Sequence, residues 1–260
     1  MARGIERLRI QGVPVDHVSM ARALAFVENA ITKAGAPQYI LSVNPEKVMV
    51  LQHDATLKAL FEKAALLIPD GIGVVLAIRW LFKLPASRVP GSELMPHICR
   101  LAQKRGFRVF VYGSREAVNR EAVKRLNVRF PGIALAGRCN GYIGPSEMSR
   151  LVRQINDSGA DILFVALGSP KQEEWMANWL PHLRVKICQG IGGTLDTIVG
   201  NVRRAPFVFR MVGLEWFYRL AKEPRRWRRQ LAIPRFALSV LREGLLQKRR
   251  VMKFGTSINK

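Results

Sequence analysis

The chain has 260 residues, 48% of them apolar and 23% charged, enough to bury one substantial core with or without a smaller appendage and too apolar to be disordered in bulk. Its formal charge of +23 is unevenly spread: from Arg203 to Lys260 there are 16 Lys or Arg against three Glu, so the tail calls for a polyanionic partner, either nucleic acid or an anionic membrane face. Cys99, Cys139 and Cys188 stand far apart, which excludes a close zinc-gripping or redox pair. The N-terminal "MARGIERLRIQG" lacks a signal peptide's apolar stretch, and "IGVVLAIRWLF" is too short to span a bilayer and carries Arg79, so a cytoplasmic chain is expected.

In chain order, "MARALAFVENAITKAG" has helical period and "YILSV", after Gln38, reads as a strand. The stretch "PEKVMVLQHDATLKALFEKA" reads as one helix opened by proline, and "ALLI" as the strand before Pro69. The strands "FRVFVYG", "IALAG", "DILFVAL" and "VKICQG" follow, with "SREAVNREAVKRL" and "PSEMSRLVRQINDSG" as helices between them. Near-continuous apolar strands alternating with helices predict a doubly wound α/β core with a mostly parallel sheet over residues 1–200. After Gly200 the pattern changes. Residues 201–260 contain no convincing strand, and Pro206, Pro224 and Pro234 divide them into about three basic amphipathic helices. Trp216, Phe217, Tyr218 and Trp227 are candidate interface anchors there, with membrane contact favoured over nucleic acid.

In such a sheet, ligands bind beyond the carboxyl ends of the strands. All six ends are rich in Gly, Asn, Ser or Pro: "SVNPEK", "PDGIG", "YGS", "GRCNGYIG", "ALGSPKQEEW" and "QGIGGTLD". Together, with Asn44, Asp70, Gln172 and Asp196, they predict a polar crevice. Within "LIPDGIGVV", Asp70 is either a turn former or the group that does chemistry, and local sequence leaves both open. No Gly-x-Gly-x-x-Gly opens the first βα unit, and there is neither a phosphate-binding Gly-x-x-x-x-Gly-Lys-Ser/Thr loop nor a Gly-x-Ser-x-Gly elbow. His17, His53, His97 and His182 lack metal-ligand spacing. No two aspartates stand one residue apart to hold a divalent ion on a diphosphate, so arginines and backbone amides must neutralise one if it binds. Arg88, in "ASRVPGSE", is the best placed by sequence. It precedes a glycine turn and a helix that Ser92 could cap, although a surface ion pair would explain it as well.

The segments "SVNPEKV", "IPDGIGVV", "RVPGSELMP", "NGYIGPSE", "GADILFVALGSPKQEEWM", "GIGGTLD" and "VRRAPFVFRMVGLEWFYRLAKEPRRW" closely resemble, in order, the WecG/TagA/CpsF family of bacterial glycosyltransferases, from about Ile10 to Leu241. The resemblance implies a Rossmann-like fold with a C-terminal appendage that meets the membrane. It implies an inverting, metal-independent transfer of a sugar, notably N-acetylmannosamine or its uronic acid, from a UDP-sugar to a polyprenyl-diphosphate-linked saccharide. The UDP-sugar is a substrate and no cofactor is called for. A UDP-glucose or other hexose transferase of capsule or exopolysaccharide assembly is the alternative within the family.

Carried over by motif, Asp70 is the general base, and Ser42, Asn44, Gly71 and Gln172 are binding residues, Gln172 lying in the matched run Pro170, Lys171, Gln172, Glu173. Arg88 lies eighteen positions beyond Asp70, as in the family. It is the first candidate to neutralise the leaving diphosphate, with Arg219, Arg225 and Arg226 of the appendage as the second. Gly192, Gly193 and Thr194, at the end of the Gly190 loop, are expected near the uridine or ribose. Ser42 replaces the family's usual threonine, and Pro90 stands where threonine is common, removing a hydroxyl and a backbone donor near Arg88. Expected partners are the two substrates and an anionic membrane surface on the cytoplasmic face; a homo-oligomer is left open. A nucleic-acid-binding protein would leave the strand-end loops unexplained, and a noncatalytic scaffold would not need Asp70.

Overall fold

A computed structural model describes residues 4–33, 35–202, 209 and 231–257. The chain opens on an antiparallel hairpin, β1 (Glu6–Ile10) and β2 (Val13–His17), turned by Gln11 and Gly12 with φ of 53° and 71°. Two consecutive left-handed residues match the twist of the strands they join. Its inner polar anchor is Asp16, which accepts from both Arg7 Nε (2.8 Å) and Arg7 Nη2 (2.9 Å) and from the Leu67 amide (2.7 Å). That bidentate bond is the main reason the Arg7 guanidinium holds its proton more tightly than usual.

Six strands form one parallel sheet: β3 (Gln38–Val43), β4 (Leu66–Pro69), β5 (Arg108–Gly113), β6 (Ala134–Cys139), β7 (Ile162–Ala166) and β8 (Ile187–Gly190), in the order β4-β3-β8-β7-β5-β6. Helices cover both faces, as strands apolar on both sides require. On one face lie α2 (Pro45–Leu51), α3 (Ala55–Glu62), α4 (Ile72–Phe82), α7 (Met148–Asp157), α8 (Lys171–Trp179) and the last helix, α10 (Ala232–Ser257). On the other lie α1 (Met20–Thr32), α5 (Gly91–Arg105), α6 (Glu116–Arg129) and α9 (Thr194–Val199). The α/β class and the mostly parallel sheet are as expected from sequence.

Four details differ from expectation. The stretch 45–64 is two helices, because Asp54 accepts from the Leu57 amide (2.8 Å) and starts a new one after α2 ends at Leu51. Ser92 is not a cap: Pro90 holds the N-cap of α5, and Ser92 lies inside its first turn. Pro234 does not separate helices. It sits in the first turn of α10, where a missing N–H is tolerated. The hairpin β1–β2 was not anticipated. Of the other proposed tail features, Pro206, Pro224 and the four aromatic anchors lie outside the described residues.

Helix α10 docks on α2 and α4 through Phe236 and Val240, both buried. The contact is close enough at Gly244 that a Cβ there would lie 2.1 Å from Trp80 Nε1 on α4. Glycine is therefore required by the packing at that position. Gly244→Val is expected to push α10 off α4 and cost about 1–3 kcal/mol, read as a lower urea midpoint. A wild-type midpoint would mean that α10 does not depend on this contact.

Candidate active site

The parallel sheet brings strand ends to one edge, and there the chain encloses a cavity of about 1150 Å³. Its floor comes from the loops after β3, β4, β7 and β8, and the Arg88–Gly91 segment closes one side. The loops after β5 and β6, expected from sequence to share the crevice, do not line it. The strand order puts β4, β3, β8 and β7 side by side and leaves β5 and β6 beyond them.

Asp70 is positioned by both of its neighbours along the chain. Pro69 ends β4, and the Asp70 amide donates to the Val43 carbonyl (2.8 Å), so the β3–β4 ladder runs one bond past the strand. Gly71 then takes φ +91°, a conformation that favours glycine, and α4 starts at once. The Val89 amide donates to the Pro69 carbonyl (2.8 Å), which draws Arg88, Val89 and Pro90 back along the end of β4. As a result the first amide of α5, Gly91 N–H, donates to Asp70 Oδ2 at 3.3 Å. The Asp70 carboxyl therefore stands at the N-terminus of a 15-residue helix. Pro90, whose ring cannot donate, takes the extended N-cap position and leaves the donation to Gly91.

Arg88 lines the same cavity, and its Nη2 lies 3.7 Å from Glu93 Oε1. Ser42, on β3, and Asn44 line it too. Asn44 caps α2 by accepting from the Lys47 amide through Oδ1 (2.8 Å), so its amide nitrogen remains the group with which it can meet a ligand. The Gln172 side chain is buried. Its Oε1 accepts from the Gly192 amide (2.9 Å) and its Nε2 donates to Glu173 Oε1 (3.4 Å), so Gln172 orders the β8–α9 loop as well as lining the cavity. Gly192, Gly193 and Thr194 all line that loop, but the Thr194 hydroxyl is committed to the Ile191 carbonyl (2.5 Å). Arg219, Arg225 and Arg226 lie outside the described residues.

Three contributors were not marked as site residues in the sequence. Lys47 Nζ donates to Glu173 Oε1 (2.9 Å) and to Ser169 Oγ, linking the first turn of α2, which follows β3, to the first turn of α8 and the loop before it, which follow β7. Both side chains of the pair are largely out of solvent, and Glu173 Oε2 has no hydrogen-bond partner among the described residues. Second, α10 supplies an apolar wall of Ile233, Phe236, Ala237, Val240 and Leu241. The third is Gln189, buried in β8 beneath the floor, whose Nε2 donates to the Gly91 carbonyl (3.2 Å). "SVNPEK" and "SPKQEE" each contain a partner of the ion pair, but nothing local says that they meet.

The cysteines are unpaired, and burial pushes the Cys99 thiol up to about 12 and the Cys188 thiol higher still, which makes both poor nucleophiles at neutral pH. Among the described residues no three His, Cys, Asp or Glu come together as a metal-binding group.

The Glycosyl transferase WecG/TagA/CpsF family model matches residues 8–250. The chain is 32% identical over 234 residues to the N-acetylglucosaminyldiphosphoundecaprenol N-acetyl-beta-D-mannosaminyltransferase of Bacillus subtilis (strain 168), covering 90% of this chain and 91% of the relative. It is 36% identical over 204 residues to the enzyme of the same name from Bacillus spizizenii (strain W23), covering 78% and 79%. The fold is of the α/β class with a mostly parallel sheet, and the chain belongs to the WecG/TagA/CpsF family of glycosyltransferases, which makes it an enzyme.

The Lys47–Glu173 pair can be tested by stability. Removing one member of a buried pair strands the other, at a cost of about 3–5 kcal/mol, whereas removing both charges costs far less. Lys47→Met is therefore expected to lower the urea midpoint strongly, and Lys47→Met with Glu173→Gln to recover most of it. Additive losses would show that the two charges do not support each other.

Proposed function

We propose that the chain moves N-acetylmannosamine, or a closely related sugar, from a UDP-sugar to a saccharide carried on polyprenyl diphosphate, in the synthesis of a bacterial cell-surface polysaccharide. The observation that carries this reading is the position of Asp70, at the end of β4 on the floor of a cavity faced by an apolar wall. The names of the two Bacillus relatives supply the sugar and the acceptor class. We also read the helix-covered sheet as Rossmann-like and doubly wound.

The acceptor hydroxyl oxygen attacks the anomeric carbon of the donor. The bond from that carbon to the diphosphate oxygen breaks, and UDP leaves from the opposite face with the electron pair, which inverts the centre. Asp70 takes the hydroxyl proton as the new bond forms. Charge that builds on the diphosphate meets fixed donors. The first turn of α4, whose N-cap Gly71 has no side chain to satisfy its amides, opens on the cavity, and Arg88 lines it nearby. Ser42, and Asn44 through its amide nitrogen, face the sugar hydroxyls. The cavity exceeds the roughly 300–1,000 Å³ of a drug-sized site, which leaves room for a donor and the head of an acceptor together.

A substrate held in a bilayer requires the enzyme at its surface, and we place the chain on the cytoplasmic membrane face. Among the described residues no helix is long and apolar enough to cross a membrane. Leu231, Leu238, Leu241 and Leu245 lie exposed around α10, beside exposed Arg235 and Arg242. Leucines that enter the headgroup boundary among arginines that stay with phosphate are the pattern of an interfacial helix.

Asp70→Asn is expected to lower kcat by about 10²- to 10⁴-fold with UDP affinity unchanged, and wild-type turnover to persist in EDTA. The assay uses a panel of UDP-sugars with a short-chain polyprenyl-diphosphate-linked N-acetylglucosamine. Full activity of D70N would remove the base, and preferential use of UDP-glucose would move the chain to hexose transfer. In vesicle sedimentation, binding is expected to anionic phosphatidylglycerol vesicles and to weaken with salt. Equal recovery with neutral and anionic vesicles would refute an electrostatic membrane contact.

A further inference from the structure

Gln189 is an anomaly in its layer. It is fully buried on β8, in register with Ile40 of β3 and Phe164 of β7, and both of those belong to the apolar layer under α5. Ile187, two residues before it on β8, and Ile191, just past the strand's end, belong to that layer too. An aliphatic side chain would complete the row. Instead an amide stands there, and its Oε1 has no hydrogen-bond partner among the described residues. A buried acceptor left unmatched is unfavourable. Its persistence points to the other end of the amide, where Nε2 donates to the Gly91 carbonyl at 3.2 Å.

Gly91 is the residue whose N–H donates to Asp70 Oδ2. The two bonds leave opposite sides of one Cα: the carbonyl is held from below by β8, and the amide reaches the carboxylate at the end of β4. A glycine has no side chain to lock its own orientation, and as the first helical residue of α5 it lacks an intrahelical partner for its N–H. We infer that Gln189 is a positioning residue for Asp70, fixing the first turn of α5 from beneath so that the Gly91 amide stays aimed at the carboxylate that accepts the proton.

The inference rests on the reading of Asp70 as the base, and the test separates the two. Gln189→Met keeps the volume and removes the donor; Gln189→Leu removes it with an aliphatic side chain that matches the surrounding layer. Both are expected to lower kcat by about 10- to 10²-fold, with the KM for the UDP-sugar within about twofold of wild type. In the D70N background, Gln189→Met is expected to add no further loss, because the group it positions is gone. Amide hydrogen exchange of the full-length protein, resolved by residue, is expected to speed up at Gly91 in Q189M and stay unchanged in the later turns of α5.

Wild-type kcat in both Gln189 variants, or a loss of equal size in the D70N background, would overturn the positioning role. Should Q189M lose its fold, Q189L carries the same comparison. If D70N itself keeps full activity, the base assignment is what fails, and Gly91 exchange still decides whether Gln189 holds that amide.

Discussion

All six strands of the sheet point the same way, and the site depends on that constraint. A parallel strand cannot return by a hairpin, so each must hand the chain to a crossover. The crossovers leave from one edge, where carbonyl ends of strands and amide ends of helices meet. Which loops then share a cavity is a matter of strand order. With β4, β3, β8 and β7 adjacent, residues as distant in sequence as Ser42 and Thr194 line one space. Asp70 gains most from the arrangement: its backbone extends the β3–β4 ladder, while its side chain meets the N-terminus of α5.

Loops at such an edge are mobile unless something joins them, and here polar side chains do so from beneath. Lys47 reaches from the first turn of α2, just beyond β3, to Ser169 and Glu173 beyond β7, and Gln172, next to Glu173, reaches on to Gly192 beyond β8. A charge pair in this position is weak evidence for stability, because desolvation offsets much of its attraction. Its geometric effect is clearer. It gives three loops one common reference, so a sugar placed against one of them is placed against all, and orientation of that kind carries a large part of a bimolecular barrier.

Much of this was legible in the sequence, for identifiable reasons. Five of the six core strands announce themselves because burial on both faces leaves no room for polar alternation, while the edge strand β6 is only partly buried throughout, and the strand ends are marked by the residues that make turns. The hairpin β1–β2 was missed because its strands are short and Pro14 argues against a strand, although the alternation in "ERLRI" was present. The division of 45–64 into two helices hung on one carboxylate, Asp54, whose capping role looks in sequence like any polar residue on a helix face. Asp70 was visible as a candidate from its loop and was assigned a role by resemblance. Lys47, Glu173 and Gln189 were not visible as site residues, since each matters through a partner about 100 residues or more away. Ser92 was mistaken for a cap because capping preference is local, whereas α5 begins where Val89 is tied to Pro69.

The cavity has two chemistries, and their arrangement constrains how anything can sit in it. Its floor is built of amides, hydroxyls and a carboxylate at the strand ends; its far wall is built of Phe236, Val240 and Ile233 from α10. Leu76 of α4 and Leu241 of α10 line the cavity while remaining about half exposed, so the apolar wall continues outward to the surface. On the proposed function, a diphosphate-linked saccharide with a lipid tail can bring its sugar to Asp70 and lead its chain out along leucines, without drawing apolar carbon across the polar floor. The reverse orientation would desolvate the diphosphate against aliphatic side chains, which is strongly unfavourable for a charged group without partners. Acceptor polarity alone therefore selects one direction of entry, and that direction presents the terminal sugar, rather than the diphosphate, to the base.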